Sequence, residues 1–594
     1  MVRKVIGFLL VLGMVTQLSL AESGSSTAAP GASAAAPAAV NDSPLSAPGS
    51  AAELKAVLDQ VQSLIRAQAQ QLDAQRKQLE LQQVQIEELR REVGSTKPAT
   101  ASVTEQEQAA ASAAARLHSE ALALASPPSE AAAPVAVLTH IPATPAVQQG
   151  TGTESADTPL SIHFLHGSIT PGGWVDFTAY YRSTDVGSGL GTSFASIPYN
   201  NTVTGGLSET RFTAQSSRIS LRADEAFGKT KVFGYGEADF NGYLPSNAYV
   251  STNSDTMRLR VYFTDLSRGH WELLGGQSWS LLTPNRVGVS PFLSEIYNTL
   301  HLDTNYQVGL VYARQTQLRG VYHFNDNVAL GLSVENPEQF SGSAVTFPSL
   351  FSTTETDLNS SSSGTGGGTA TPTLHPDVIA KLSADAHWGQ RTWHFESAGL
   401  LTPVEVLTPA SVTKTTAAKD IREGGAISTV ANLEAVKHLH LILTGFWSDG
   451  GGRYIGGLGP GFVVAQAGTK AAPFNAQLVH SGSGITSAEW QVNKFNVLEF
   501  SYSGAYFQRV FSTDPSTDSL VGYGFKGSAN SNNRAIQEAT FATQTTLWKQ
   551  HGYGSVQMIT QSSYITRAPW YVAVGAPKDA HVFAGYANLR YVLP

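Results

Sequence analysis

Trp174-Val-Asp-Phe-Thr-Ala-Tyr-Tyr-Arg182 alternates with a period of two. Val175, Phe177, Ala179 and Tyr181 fall on one face, and Asp176, Thr178, Tyr180 and Arg182 on the other. In an extended chain successive side chains point to opposite faces, so this is a strand with one apolar and one polar side. Arg218-Ile-Ser-Leu-Arg-Ala-Asp224 repeats the pattern, as do Arg258 to Thr264, Ser428 to Glu434 and Asn496 to Tyr506.

A soluble sandwich alternates in the same way, and connection lengths separate the two cases. Working outward from Trp174, about sixteen strands can be traced. Short links lie at 225–230, 266–269, 325–327, 389–390, 435–437, 492–494 and 550–552. Between them lie long links rich in Gly, Ser and Asn, at about 183–209, 242–255, 281–306, 337–376, 401–421, 448–484, 509–533 and 566–580. Membrane barrels sort their loops this way, with tight turns at the periplasmic end and long loops outside. In lipid every backbone N–H and C=O must find a partner, and only a closed sheet provides that. The expected fold is therefore an all-β transmembrane barrel of about 16 antiparallel strands enclosing an aqueous lumen. Trp174, Trp271, Trp279, Trp388, Trp393, Trp447 and Trp548 fall near strand ends, as aromatic girdles require.

Composition narrows the class. Charged residues make up 14% of the 594, mean hydropathy is −0.10, and the formal charge is −8. The only long apolar run is N-terminal, so a helical membrane protein is not expected. Nor is a nucleic-acid partner, which would call for basic clusters. There is no cysteine, which removes disulfides, thiolate metal sites and lipidation at an N-terminal Cys.

The segments before the barrel read differently. Arg3 and Lys4 precede an apolar core from Val5 to Leu18, and Ser19-Leu20-Ala21 fits a cleavage site, so 1–21 is expected to be a secretory signal peptide. Residues 22–50 have the Ala/Ser/Pro composition of a linker. Residues 51–93 contain no Gly or Pro and place Leu58, Ile65, Leu72, Leu79, Ile86 and Val93 seven apart. Leu54, Val61, Gln68, Gln75, Gln82 and Leu89 then fill the other core position of a coiled coil, which is expected in the periplasm. A second Ala/Pro-rich linker covers 94–160, and the barrel occupies 161–594.

Alternation also assigns faces to the charged residues. Arg218 and Arg222 on the second strand, Arg258 and Arg260 on the fourth, Arg319 on the sixth and Arg590 on the last point inward, with Asp176, Asp224, Glu237 and Asp239. The opposite face of the fourth strand would carry Leu259, Val261 and Phe263. The inward arginines read either as a cationic ladder for carboxylates and phosphates or as partners of these acids in a structural wall network. The third long link, about 281–306, is more apolar than an exposed loop and is expected to fold into the lumen as a constriction. Arg286, Glu295, His301 and Asp303 are its candidate residues. No nucleotide-loop, metalloprotease or serine-hydrolase motif is present, so no enzyme, metal or cofactor is expected.

Five segments carry a resemblance. Gly276 to Ser280, Arg314 to Arg319, Gly452 to Pro460, Arg534 to Thr540 and Tyr564 to Trp570 resemble the DcaP-like outer-membrane porins, in order, over about 170–594. The resemblance implies a trimeric sixteen-stranded channel favouring dicarboxylates and other small anions, with Arg258, Arg260 and Arg319 as the anion track. The implied partners are a homotrimer, the outer-membrane bilayer with its lipopolysaccharide, and small anionic solutes. One departure stands out: barrel-assembly signals end in an aromatic residue, whereas this chain ends Asn588-Leu-Arg-Tyr-Val-Leu-Pro594. A rival expectation is a structural tether or adhesin, in which the coiled coil is the working part and the barrel an anchor.

Overall fold

The computed structural model describes residues 158–594 apart from 165, 243–254, 293–299, 343, 352–372, 411–415 and 551. The expected signal peptide, the first linker, the coiled coil and nearly all of the second linker lie outside the described residues, as does Glu295.

Sixteen antiparallel strands close on themselves. In chain order they are β1 (Gly167–Arg182), β2 (Arg218–Phe227), β3 (Thr230–Asp239) and β4 (Arg258–Arg268). They continue with β5 (Trp271–Trp279), β6 (Arg314–Asn325), β7 (Val328–Glu335) and β8 (Asp377–Trp388). Next come β9 (Arg391–Thr408), β10 (Ala418–Val436), β11 (Leu439–Asp449) and β12 (His480–Gln491). The last four are β13 (Asn496–Phe507), β14 (Asn533–Gln550), β15 (Gly554–Pro569) and β16 (Ala580–Val592). Each pairs with the next, and β16 pairs with β1 from Trp174↔Val592 to Arg182↔Ala584. Two short strands join the same sheet: Ile162–Phe164 and Glu209–Thr213, the latter extending the β2 position alongside the upper half of β1. No α-helix occurs among the described residues.

Short and long connections alternate around the barrel, as the sequence pattern requires. One long link is shorter than expected. β9 has 18 residues and β10 has 19, and they stay paired out to Thr408↔Ala418. A tilted spanning strand needs about 9–11 residues. This hairpin therefore rises well beyond the bilayer, and the expected loop at 401–421 shrinks to 409–417.

The outer face is apolar. Val175, Phe177 and Tyr181 on β1 are exposed, while Asp176, Thr178, Tyr180 and Arg182 are buried. Exposed Trp271, Phe324, Trp388, Trp490 and Trp548 ring the end with the short turns. Exposed Tyr181, Trp447, Tyr506, Tyr564 and Phe583 mark the other. This is the two-girdle pattern of a barrel in lipid. Trp174 and Trp279 depart from the expectation, since both face inward and are buried. At the far end of β16, Tyr591 is outward-facing and its hydroxyl donates to the Tyr553 carbonyl at 2.7 Å.

β4 brings a second correction. Glu237 pairs with Val261 and Ala238 with Leu259, so Arg260 is an extra residue in a β-bulge. The bulge shifts the alternation by one. Arg258 and Arg260 point inward, but Val261 and Phe263 do too, and both are buried. Leu259, Tyr262 and Leu266 take the outer face instead. Uniform alternation cannot foresee such a change of face.

A charge on the lipid side tests this assignment. Leu443 on β11 is exposed and lies between the two girdles. Leu443→Arg is expected to cost about 2–4 kcal/mol at mid-depth, falling toward zero for the same change near a girdle. Urea unfolding in lipid vesicles measures it.

Candidate functional site

The inner wall of β1–β6 and the link 280–313 together form the candidate site. On the wall, Arg260 donates to Glu237 at 2.6 Å and to Asp239 at 2.8 Å, and Arg258 reaches Asp239 at 2.8 Å. Arg218 lies 3.2 Å from Glu237. The bulge is what lets Arg260 reach both acids, which stand two apart on one face of β3. Arg314, at the start of β6, joins the group. Its guanidinium stands 5.7 Å from the centre of the Trp279 ring, within electrostatic reach of Arg258, Arg260 and Asp239. No ion pair of its own is found among the described residues. The cluster thus holds four guanidinium groups and two carboxylates.

The other expected arginines are also on the inner face, but apart from this cluster. Arg590 pairs with Asp176 at 2.5 Å, and the Trp174 ring lies between the guanidinium groups of Arg590 and Arg218, at 4.9 and 4.2 Å. Arg222 chelates Asp224 at 2.8 Å and covers the Phe233 ring. Arg319 donates to the Trp279 carbonyl at 2.5 Å and to Gln317 at 3.0 Å. Buried ion pairs of this kind recover their desolvation cost only when well bonded, and removing one partner leaves an uncompensated charge.

The described parts of the link, 280–292 and 300–313, lie inside the barrel. Leu281, Leu282, Leu302, Val308, Leu310 and Val311 are buried, which accounts for its apolar composition. It is held by acids on the inner faces of distant strands, which accept from its backbone. Leu281 N donates to Glu335 at 2.8 Å, Asn285 N to Glu396 at 3.1 Å, Gly288 N to Asp385 at 3.0 Å and Val308 N to Glu538 at 2.9 Å. Arg286 grips Glu489 with both terminal nitrogens, at 2.9 and 2.5 Å. Asp303 accepts from the amides of Thr192 and Asn305 and from the Tyr586 hydroxyl at 2.8 Å. Tyr306, with a left-handed φ of 58°, is buried against Trp279 and Tyr312. This contact brings the link against the arginine cluster.

His301 sits between two acceptors, the Tyr306 carbonyl 3.0 Å from Nδ1 and Glu499 3.2 Å from Nε2. Only the doubly protonated ring can donate to both. Burial opposes that charge, but the Glu499 carboxylate outweighs it, and the His301 pKa is raised to about 9.

Sequence reasoning passed over Arg314 and the acids that hold the link. The same alternation rule would have found them, because Glu335, Glu396, Glu489, Glu499 and Glu538 all fall on inward positions of their strands. This is a closed sixteen-stranded antiparallel β-barrel. No family model and no curated protein matches the chain. Among solved structures it is similar to the outer membrane channel DcaP of Acinetobacter baumannii, at 13% identity and a TM-score of 0.48, over 72% of this chain and 98% of that one. It is also similar to the anion-selective porin from Comamonas acidovorans, at 11% identity and a TM-score of 0.38, over 72% of this chain and 100% of that one. A third is OprB of Pseudomonas putida, at 9% identity and a TM-score of 0.38, over 71% and 94%. These are likenesses of architecture, at identities too low to carry a function across.

The His301 pair gives the link a pH dependence. A pKa raised from about 6.5 in the unfolded chain to about 9 in the folded one stabilises fully below about 6.5. That contribution is lost as pH rises through about 9. Urea unfolding of the wild type between pH 6 and 10 should show this decline. In His301→Gln the decline should be smaller.

Proposed function

We propose that the protein is an outer-membrane porin, a passive diffusion channel for small polar solutes with a preference for anions such as dicarboxylates. The observation that carries this reading is the cluster where the inward link meets the wall, with its four guanidinium groups against the carboxylates of Glu237 and Asp239. A guanidinium fork matches a carboxylate or phosphate in two parallel hydrogen bonds. Arg314 and the partly exposed Arg258 are the members we assign to solute anions, while Arg218 and Arg260 hold the acids of the wall. In this reading the link 280–313 is the constriction, with Arg286, His301 and Asp303 anchoring it rather than facing the solute.

The same proposal includes a homotrimer, with residues 51–93 as a periplasmic coiled coil. The heptad stripe supports oligomerisation, and the DcaP-like sequence motifs support the number three. Light scattering of the full chain in detergent tests it, with a monomer as the contrary result.

Selectivity is tested by the reversal potential of single channels in a potassium chloride gradient across a planar bilayer. Arg258→Gln with Arg314→Gln is expected to lower the anion-to-cation permeability ratio. The effect should be largest at 0.1 M salt, where the Debye length is about 10 Å, and small at 1 M, where it is about 3 Å. Asp239 keeps Arg260 as a partner in this variant, so folding should be preserved. A wild-type ratio at low salt would assign the cluster to wall structure alone.

A further inference from the structure

Gly450 to Gly461, in the link between β11 and β12, has glycine at seven of twelve positions. The segment needs them because it closes on itself. A Cβ on Gly452 would stand 2.6 Å from the Pro460 carbonyl oxygen, and one on Gly461 would stand 2.5 Å from that of Gly450. A single 3₁₀ turn, Gly452–Tyr454, leads into the closed end. The result is a compact loop whose two ends touch.

The loop is anchored on two parts of the wall. Asp377, which opens β8 and is fully buried, accepts from the Tyr454 hydroxyl at 2.7 Å and from the Arg453 guanidinium. Arg453 also donates to the Asn336 carbonyl at 3.2 Å, and its guanidinium stands 4.6 Å from the centre of the Tyr454 ring. On the other side Gly459 lies against the ring of Phe507, the last residue of β13, where a Cβ would come within 2.3 Å. β8 and β13 are five strands apart in a ring of sixteen. The loop is therefore a chord between separate walls at the external end, and not a lining of one of them.

Between its anchors the loop meets the inward link. Tyr312 N donates to the Tyr454 carbonyl at 3.0 Å, and Tyr312 and Ile455 form a parallel bridge. Tyr454 and Ile455 are fully buried. Tyr312 meets Tyr306 edge-on with centroids 5.2 Å apart, and its hydroxyl donates to the Asn305 carbonyl at 3.3 Å. Tyr306 packs on Trp279, whose ring stands beside the guanidinium groups of Arg260 and Arg314. A continuous line of contacts thus runs from Asp377 through Tyr454, Tyr312 and Tyr306 to the arginine cluster.

We propose that Gly450–Gly461 is the second half of the constriction. Arg453 and Tyr454 are its positioning residues: held by Asp377, they back the link at Tyr312 and so set the size of solute that passes. The inference rests on the porin reading above and concerns steric exclusion, not charge. Size is read with uncharged sugars, as the swelling rate of vesicles carrying the full chain in a trisaccharide relative to a monosaccharide. Because the loop's ends touch, Gly452–Gly459 can be excised with Gly451 joined to Pro460. Asp377→Asn accompanies the deletion, so that no buried carboxylate is left without its cation. This variant is expected to raise the trisaccharide-to-monosaccharide ratio several-fold. Arg453→Gln with Asp377→Asn keeps the loop and removes only the ion pair. It should raise the ratio by less, and it decides the matter alone if the deletion does not fold, as judged by heat-modifiable mobility. A wild type that gives neither swelling nor bilayer conductance would defeat the channel reading itself. A conducting wild type whose folded variants keep its sugar ratio overturns this inference alone and leaves the loop as a cap on the external face.

Discussion

Everything in this molecule depends on the hydrogen bonds between β1 and β16. A sheet in hydrocarbon cannot leave an edge, because each unpaired backbone group there costs several kcal/mol. Pairing of Trp174 through Arg182 with Val592 through Ala584 removes the last edge. Once the cylinder is closed, the two sides of every strand meet different solvents. The outer side can be apolar without penalty, and the inner side is free to be charged. The inward acids and arginines are affordable only because closure has created an interior where they can meet each other.

That interior is crowded with ion pairs, and the crowding has an order. On the β1–β6 wall, acids and arginines are interleaved, with Glu237 and Asp239 each serving two guanidinium groups. On the opposite wall the acids outnumber the cations, and they turn instead to the backbone amides of the crossing link. A chain segment of low regularity is thereby fixed by groups standing on rigid strands. The peptide dipoles of the link supply the positive ends that the wall lacks. The lumen is consequently asymmetric: one wall is rich in arginine, and the acid-rich wall holds the crossing link in place.

Much of this was legible in the sequence, and the parts that were not share a cause. Period-two alternation located the strands, and the sorting of short and long links fixed the architecture. The same rule placed all six expected arginines on the inner face. It went wrong at Arg260, where one inserted residue turned Val261 and Phe263 inward, because alternation carries no information about bulges. Trp174 and Trp279 were misread as girdle residues because position near a strand end does not reveal the face. Each is inside, beside guanidinium groups that its ring stabilises. Composition marked the third link as an inward segment. Its anchors could not be paired by sequence alone, since residues such as Asp303 and Tyr586 lie 283 positions apart.

The Trp174 sandwich has a kinetic meaning. Arg218 is carried by the second strand and Arg590 by the last, and Asp176 reaches Arg590 across 414 residues of chain. Contacts so remote in sequence form late, after most of the loop-closure entropy has been spent. The indole and its two cations therefore act as a clasp that engages only when the ring of strands has come full circle. A barrel stalled one strand short would present Trp174 without its second guanidinium and Asp176 without its ion-pair partner. The unfinished cylinder would then differ chemically, as well as topologically, from the finished one at the place where its two ends must join.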